Sequence, residues 1–163
     1  MTNNLYRLNA AAIVFNQEGN VLVFGRADFD NQWQFPQGGI NQGESHQDAA
    51  LRELQEETSI HSVKHIAEYP QTLRYDFPPN VLEKFKKIGR TNIGQEQYWH
   101  LFFFSGSEDE IIFTAHPEEI EFKAYKWIDI MSAPELIVDF KKDVYLKVCS
   151  YFQPIIKKYI SQI

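Results

Sequence analysis

Residues 5–16, LYRLNAAAIVFN, run through small and β-branched side chains into a turn signal at Asn16-Gln17-Glu18-Gly19-Asn20, and 21–26, VLVFGR, resume the apolar pattern. Two strands joined as a hairpin are expected. Next come Trp33-Gln34-Phe35-Pro36-Gln37-Gly38-Gly39, whose aromatics suit burial and whose proline stiffens the approach to two glycines. Residues 62–77 read as one strand ending at Pro78-Pro79, followed by a short amphipathic helix in NVLEKFKKI. The dense run QYWHLFFFSG, 97–106, fits a central strand buried on both faces. An acidic loop and a strand of alternating character fill 116–129. From about Lys141 onward, Val144, Val148, Phe152, Ile155, Ile156 and Tyr159 lie near helical spacing, with Pro154 expected to kink or interrupt the helix. That stripe is core-forming. A mixed sheet with one helix on each side, an α/β/α sandwich, is the expected fold.

The chemistry concentrates between Gly38 and Ile60, GGINQGESHQDAALRELQEETSI. At about 100° per residue, Glu53, Glu56 and Glu57 fall within one arc of roughly 100°, while Leu51, Leu54 and Thr58 point the other way. Like charges at these offsets each cost a few tenths of a kcal/mol in an isolated helix, so the cluster opposes stability unless a cation sits among it. Hard divalent ions take such oxygen ligands. Gly38, Gly39 and Gly43 permit a tight loop before the helix, and Ser45 with Asp48 three residues on resembles a capping box.

Read as spacing, the string is Gly38, five residues, Glu44, seven residues, then Arg52-Glu53-Leu54-x-Glu56-Glu57-x-Ser59-Ile60, which resembles the Nudix box. It departs at Ser59, where the family has glycine. A left-handed helix cap favours glycine, so serine there is expected to cost stability without touching chemistry. The resemblance implies a Nudix-type α/β/α sandwich over a single domain, 1–163. It also implies Mg²⁺, with Mn²⁺ as a substitute, held by Glu53, Glu56, Glu57 and the Gly38 carbonyl. Arg52 would orient the carboxylates. The general base would be Glu53, with Glu121 as a second choice.

The WQFPQGG segment narrows the resemblance to the branch with RNA pyrophosphohydrolases and dinucleoside polyphosphate hydrolases. Leu73-Arg74-Tyr75-Asp76-Phe77-Pro78, Ile93–Trp99 and Val138–Tyr145 resemble that branch in order and spacing. Glu121-Phe122-x-x-Tyr125-x-Trp127 resembles the family strand whose glutamate reaches the metal cluster, leaving Glu118 and Glu119 a surface-loop role. The implied substrate contacts are Arg7, Tyr75, Gln95, Val138, Phe140 and Lys141. Taken alone, Arg7 reads equally as strand-edge charge, and Val138 and Phe140 as core. Three positions depart from the branch: Ala27, Glu96 and Tyr98 stand where it carries an arginine and two lysines.

Composition narrows the partners. At 163 residues and 44% hydrophobic content the chain can bury a sizeable core, and its net charge of −6 argues against broad wrapping of nucleic acid. A phosphorylated RNA 5′ end or a dinucleoside polyphosphate is the expected substrate, with no DNA and no membrane partner. Oligomeric state stays open. Cys149 is the single cysteine, no apolar run approaches the ~20 residues of a membrane span, and MTNNLYRLNA has no signal-peptide pattern, so a cytoplasmic protein is expected. Lys84, Lys86 and Lys87 read as a solvated face or a polyphosphate attractor. His100 reads as a core residue, and none of the five histidines has metal-ligand spacing. Two other functions stay open: a housecleaning hydrolase of small nucleotides, and a Nudix-fold binding module without catalysis.

Overall fold

The computed structural model describes residues 5–163. One mixed sheet is built from β1 (Tyr6–Phe15), β2 (Val21–Arg26), β3 (Trp33–Gln34), β4 (Gln37–Gly39), β5 (Val63–Glu68), β6 (Leu73–Asp76), β7 (Gly94–Phe104) and β8 (Phe122–Ile128). The helices are α1 (His46–Thr58), α2 (Pro79–Lys87), the short α3 (Ala133–Leu136) and α4 (Lys142–Ile160). The sheet order is β3-β2-β1-β7-β5, with β4 also on β1, β6 on β7 and β8 on β2.

Alternation along β1 decides which helix covers which face. Ala10, Ala12 and Val14 pack with Ala49, Ala50 and Leu54 of α1, whereas Ala11, Ile13 and Phe15 pack with Val148, Phe152 and Ile156 of α4. The α/β/α sandwich is therefore present, and alanines on β1 let the box helix lie close to the sheet. β1 and β7 run parallel from Tyr6↔Gly94 to Phe15↔Phe103, which makes them the centre of the sheet.

Three elements differ from expectation. The hairpin pairs only at Phe15↔Val21. Lower down, β4 takes the same edge of β1 through Asn9↔Gly39 to Ala11↔Gln37, and β2 pairs instead with β8. The single strand expected over 62–77 is two, because Pro70 cannot donate to a ladder. β5 and β6 lie end to end along β7, and the Tyr69 N–H to Trp99 carbonyl bond of 2.9 Å sits in the gap. Finally, α4 continues through Pro154. The carbonyl that loses its partner belongs to Ser150, on the exposed side with Pro154, so water can satisfy it while the buried stripe holds the helix together. Pro154→Ala should raise stability by about 1–3 kcal/mol, measured by chemical denaturation at unchanged slope. No gain would mean that the proline is relaxed where it stands.

The ends of α1 form as the residues dictate. Ser45 Oγ accepts the Asp48 N–H at 3.1 Å. Ser59 adopts φ 65°, the left-handed cap, and its hydroxyl donates to the Ile112 carbonyl at 2.9 Å. The expected cost of serine is thus offset by a bond that glycine could not make. Among the described residues no helix is long and apolar enough to cross a membrane.

Candidate active site

Arg52 organises the acidic face of α1. Its guanidinium donates to Glu44 at 2.8 and 2.9 Å, to Glu53 at 2.8 Å, to Glu56 at 3.2 Å and to the Gly39 carbonyl at 2.8 Å. One planar cation therefore ties the loop before the helix to two of its carboxylates. Arg52 together with the Asn41 N–H holds the Glu44 carboxyl down at about 2. Glu44 was visible in the box spacing, but its role as the outer anchor of Arg52 was not.

Glu53 lies directly against Gly38, where a Cβ would overlap its carboxylate. Glycine is required there by close approach rather than by φ. Burial raises the Glu53 pKa, and raises that of Glu57 further, where the Glu53 and Glu121 charges add to the effect. Glu57 Oε2 is buried without a hydrogen-bond partner among the described residues. A buried, unpartnered carboxylate oxygen beside a second carboxylate is costly unless a cation completes it, so the residues present fit a divalent ion.

Around this pair lies a cavity of about 770 Å³ lined by Glu53, Glu56, Glu57, Glu118, Glu119 and Glu121, with His116 and Ile120. Glu118 and Glu119 are exposed, on a 3-10 turn, yet they face the same basin as Glu121. Glu121 stands apart because it also lines a second cavity of about 700 Å³. Its carbonyl accepts the Ala27 N–H at 2.8 Å, which fixes the backbone between the two cavities.

The second cavity collects all six residues expected to meet substrate: Arg7, Tyr75, Gln95, Val138, Phe140 and Lys141. Val138 and Phe140 also pack against the core, as the alternative reading of them expects, while lining this cavity. Three buried polar atoms on its wall, Tyr75 Oη, Gln95 Oε1 and Arg90 Nη2, have no hydrogen-bond partner among the described residues. Positive charge is also crowded. Burial and then Arg7 lower the pKa of Arg90, and burial followed by Arg26 pushes Lys141 down to about 8. The Lys141 ammonium lies 5.5 Å from the centre of the Tyr75 ring. A polyanion arriving here relieves cation repulsion and supplies acceptors to donors that lack them.

Sequence reasoning missed Arg26, Arg90 and Phe29 on this wall. Phe29 is 44% exposed, with the Arg26 guanidinium 4.9 Å from its ring centre and the Lys84 ammonium 5.8 Å away on the same ring. It stands two residues after Ala27, offering a flat apolar surface where the expected arginine is absent. The other two departures are committed elsewhere: Glu96 accepts from Arg74 at 2.6 Å, and Tyr98 stacks on His46 at 4.2 Å.

Comparison with known proteins agrees with this arrangement. Residues 5–148 match the NUDIX domain. The chain is 43% identical over 158 residues to an RNA pyrophosphohydrolase of Bartonella tribocorum, covering 91% of this chain and 90% of that protein. It is 40% identical to Nudix hydrolase 26, chloroplastic, of Arabidopsis thaliana, covering 90% and 69%. In structure it is similar to the Escherichia coli dihydroneopterin triphosphate pyrophosphohydrolase, with a TM-score of 0.69 at 20% identity over 91% of this chain and 97% of that one, a likeness of fold. An acidic helix pinned through one arginine to a glycine loop, on a sandwich that matches the domain over most of its length, makes this chain a member of the Nudix family.

Proposed function

We propose that the protein is a Mg²⁺-dependent pyrophosphohydrolase, served also by Mn²⁺, acting in the cytoplasm on 5′-triphosphorylated RNA and on dinucleoside polyphosphates. The observation that carries this reading is the junction at Glu121 of an all-carboxylate basin with a cation-rich cavity bearing unpartnered donors and acceptors. The relatives named RNA pyrophosphohydrolase support the RNA substrate.

Glu53, Glu56 and Glu57, with Gly38 packed beneath them, would hold the divalent ions. When bound, these ions offset polyphosphate charge and acidify the attacking water. Arg52 keeps Glu53 and Glu56 aimed, so their reorganisation is spent before substrate arrives. Arg7, Arg90 and Lys141 hold the phosphates from the other side. Val138 and Phe140 supply an apolar wall for the first base. Water attacks the phosphorus nearest the ribose, the phosphoanhydride P–O bond opens, and diphosphate leaves a 5′-monophosphate. We place the departing water proton on Glu121. Sequence alone favours Glu53, but the structure clamps Glu53 between Arg52 and Gly38, whereas Glu121 faces both the basin and the substrate cavity.

Product identification tests the reading: purified protein with Mg²⁺ is given triphosphorylated oligonucleotides, diadenosine tetraphosphate and a panel of small nucleotides. Diphosphate and a 5′-monophosphorylated RNA are expected. Turnover confined to small nucleotides would make this a housecleaning enzyme, and no turnover at all would make it a binding module.

Lys141 gives the reaction a pH signature. Its ammonium is charged below about 8 and neutral above, so phosphate attraction is present at low pH and lost as pH rises through that value. The kcat/KM of the wild type should therefore fall on the alkaline side with an apparent pKa at or below about 8, since divalent ions at Glu57 offset a charge that holds the ammonium protonated. Lys141→Arg should remove that limb while retaining activity, and an unchanged limb would assign it to another group.

A further inference from the structure

Away from the carboxylate basin, three of the five histidines meet where the start of α1 crosses the β7–β5 edge. His46 opens α1, His100 lies on β7, and His65 and Glu68 lie on β5. His46 Nδ1 is 2.7 Å from His100 Nε2, and His100 Nδ1 is 2.9 Å from His65 Nε2. The Glu68 carboxylate reaches to 3.9 Å from His46 Nε2. His46, Glu68 and His100 each present one ligand atom within 4.8 Å of the others. We propose that His46, His100 and Glu68 form a second metal site, one for a borderline transition ion of the zinc class.

The geometry supplies both ligands and their support. His100 is fully buried, and its far nitrogen is tied to His65, the outer hydrogen bond that fixes the orientation and tautomer of a metal-ligating imidazole. His46 is held in plane by Tyr98, whose ring stacks at 4.2 Å with only 7° between the planes. Glu68 and His46 are the more exposed members and give an ion its path in. Packing alone accounts for one buried histidine. It does not account for three imidazoles and a carboxylate converging from three elements, α1, β5 and β7, whose neighbouring core is apolar.

In the arrangement seen, the two facing nitrogens of His46 and His100 share a single proton. A bound ion takes its place: whichever ring carries that proton on its facing nitrogen moves it to its other ring nitrogen, and His100 then donates from Nδ1 to His65 Nε2. No proton needs to leave. The facing nitrogens then separate to about 3.3 Å, as tetrahedral ligands at ~2.0–2.1 Å require. Glu68 swings in to complete three protein ligands, leaving one position to water.

Ligand chemistry separates the two sites. Two nitrogens and one carboxylate suit zinc-class ions and are poor for Mg²⁺, while the all-oxygen basin suits Mg²⁺. They sit on the same helix, His46 seven residues before Glu53, a distance of about 10 Å along the axis. An ion at His46 would pin the first turn of α1 to the sheet edge and so brace the helix that carries the basin.

The test uses the metal-stripped chain in excess Mg²⁺, which occupies the basin, titrated calorimetrically with Zn²⁺ and optically with Co²⁺. One further ion is expected to bind, with the visible bands of tetrahedral Co²⁺ and a raised melting temperature. His46→Ala and Glu68→Ala should each weaken Zn²⁺ binding at least tenfold, and His65→Gln by about tenfold. Glu57→Gln should leave this ion in place, which separates it from binding in the basin. His100→Gln should abolish it, and if that buried variant fails to fold, the His46 and Glu68 variants still decide. A Mg²⁺-loaded chain that takes up no Zn²⁺, or takes it up equally well in His46→Ala and Glu68→Ala, overturns the site.

Discussion

Glu57→Gln is expected to lower kcat by about 10²-fold or more at saturating Mg²⁺, a loss of roughly 2.7 kcal/mol in transition-state stabilisation. The reason lies in one atom: Glu57 Oε2 is buried, lacks a partner, and sits beside Glu53 and Glu121. An amide in its place keeps the volume and loses the charge that draws in the cation. Stability should move the other way. Burial raises the folded pKa of Glu57 above its ordinary value, so folding takes up a proton. Without divalent ions the wild type therefore loses stability as pH rises from the ordinary carboxylate range toward that raised pKa. Glu57→Gln removes that slope and should melt higher near neutral pH. Glu56→Gln tests the neighbouring position, where the carboxylate is half-exposed and held by Arg52 at 3.2 Å, and should also lose most turnover. Wild-type rates from either variant at saturating Mg²⁺ would remove that carboxylate from the metal-holding set.

The sandwich and the carboxylate face were legible in sequence because each depends on local periodicity. Two-residue alternation along 10–15 separates the side chains facing α1 from those facing α4, and 3.6-residue spacing gathers Glu53, Glu56 and Glu57. What failed depends on competition between distant segments. β1 and β2 look like a full hairpin until β4 takes the same edge, and Pro154 looks like a helix breaker until burial of Phe152 and Ile156 is weighed against it. The same division runs through the site. Arg7, Tyr75, Gln95, Val138, Phe140 and Lys141 came from the resemblance and share one cavity. Arg90 follows the α2 turn and Phe29 sits in the loop after β2, so nothing but the tertiary fold carries them to that wall. The histidine cluster was hidden for the same reason: spacing along the chain shows nothing, since α1, β5 and β7 each bring one imidazole.

Glu121→Gln should lower kcat by about 10²-fold, whereas Glu118→Gln and Glu119→Gln should each change it by only a few fold. All three carboxylates line the basin, so bulk negative charge affects them alike and cannot produce that contrast. Position can. Glu121 alone of the three also lines the second, cation-rich cavity, and its carbonyl bond to the Ala27 N–H anchors it immediately before β8. Glu118 and Glu119 occupy an exposed turn. A carboxylate that accepts the water proton leaves a further mark, because its loss removes the acid limb of the kcat/KM profile instead of scaling the profile uniformly. Glu53→Gln is the internal comparison: as a clamped metal-holding group, it should lower activity at every pH and raise the Mg²⁺ requirement. Removal of the acid limb by Glu53→Gln and not by Glu121→Gln would return the proton to Glu53. Equal losses from Glu118, Glu119 and Glu121 would show that the loop acts through charge alone.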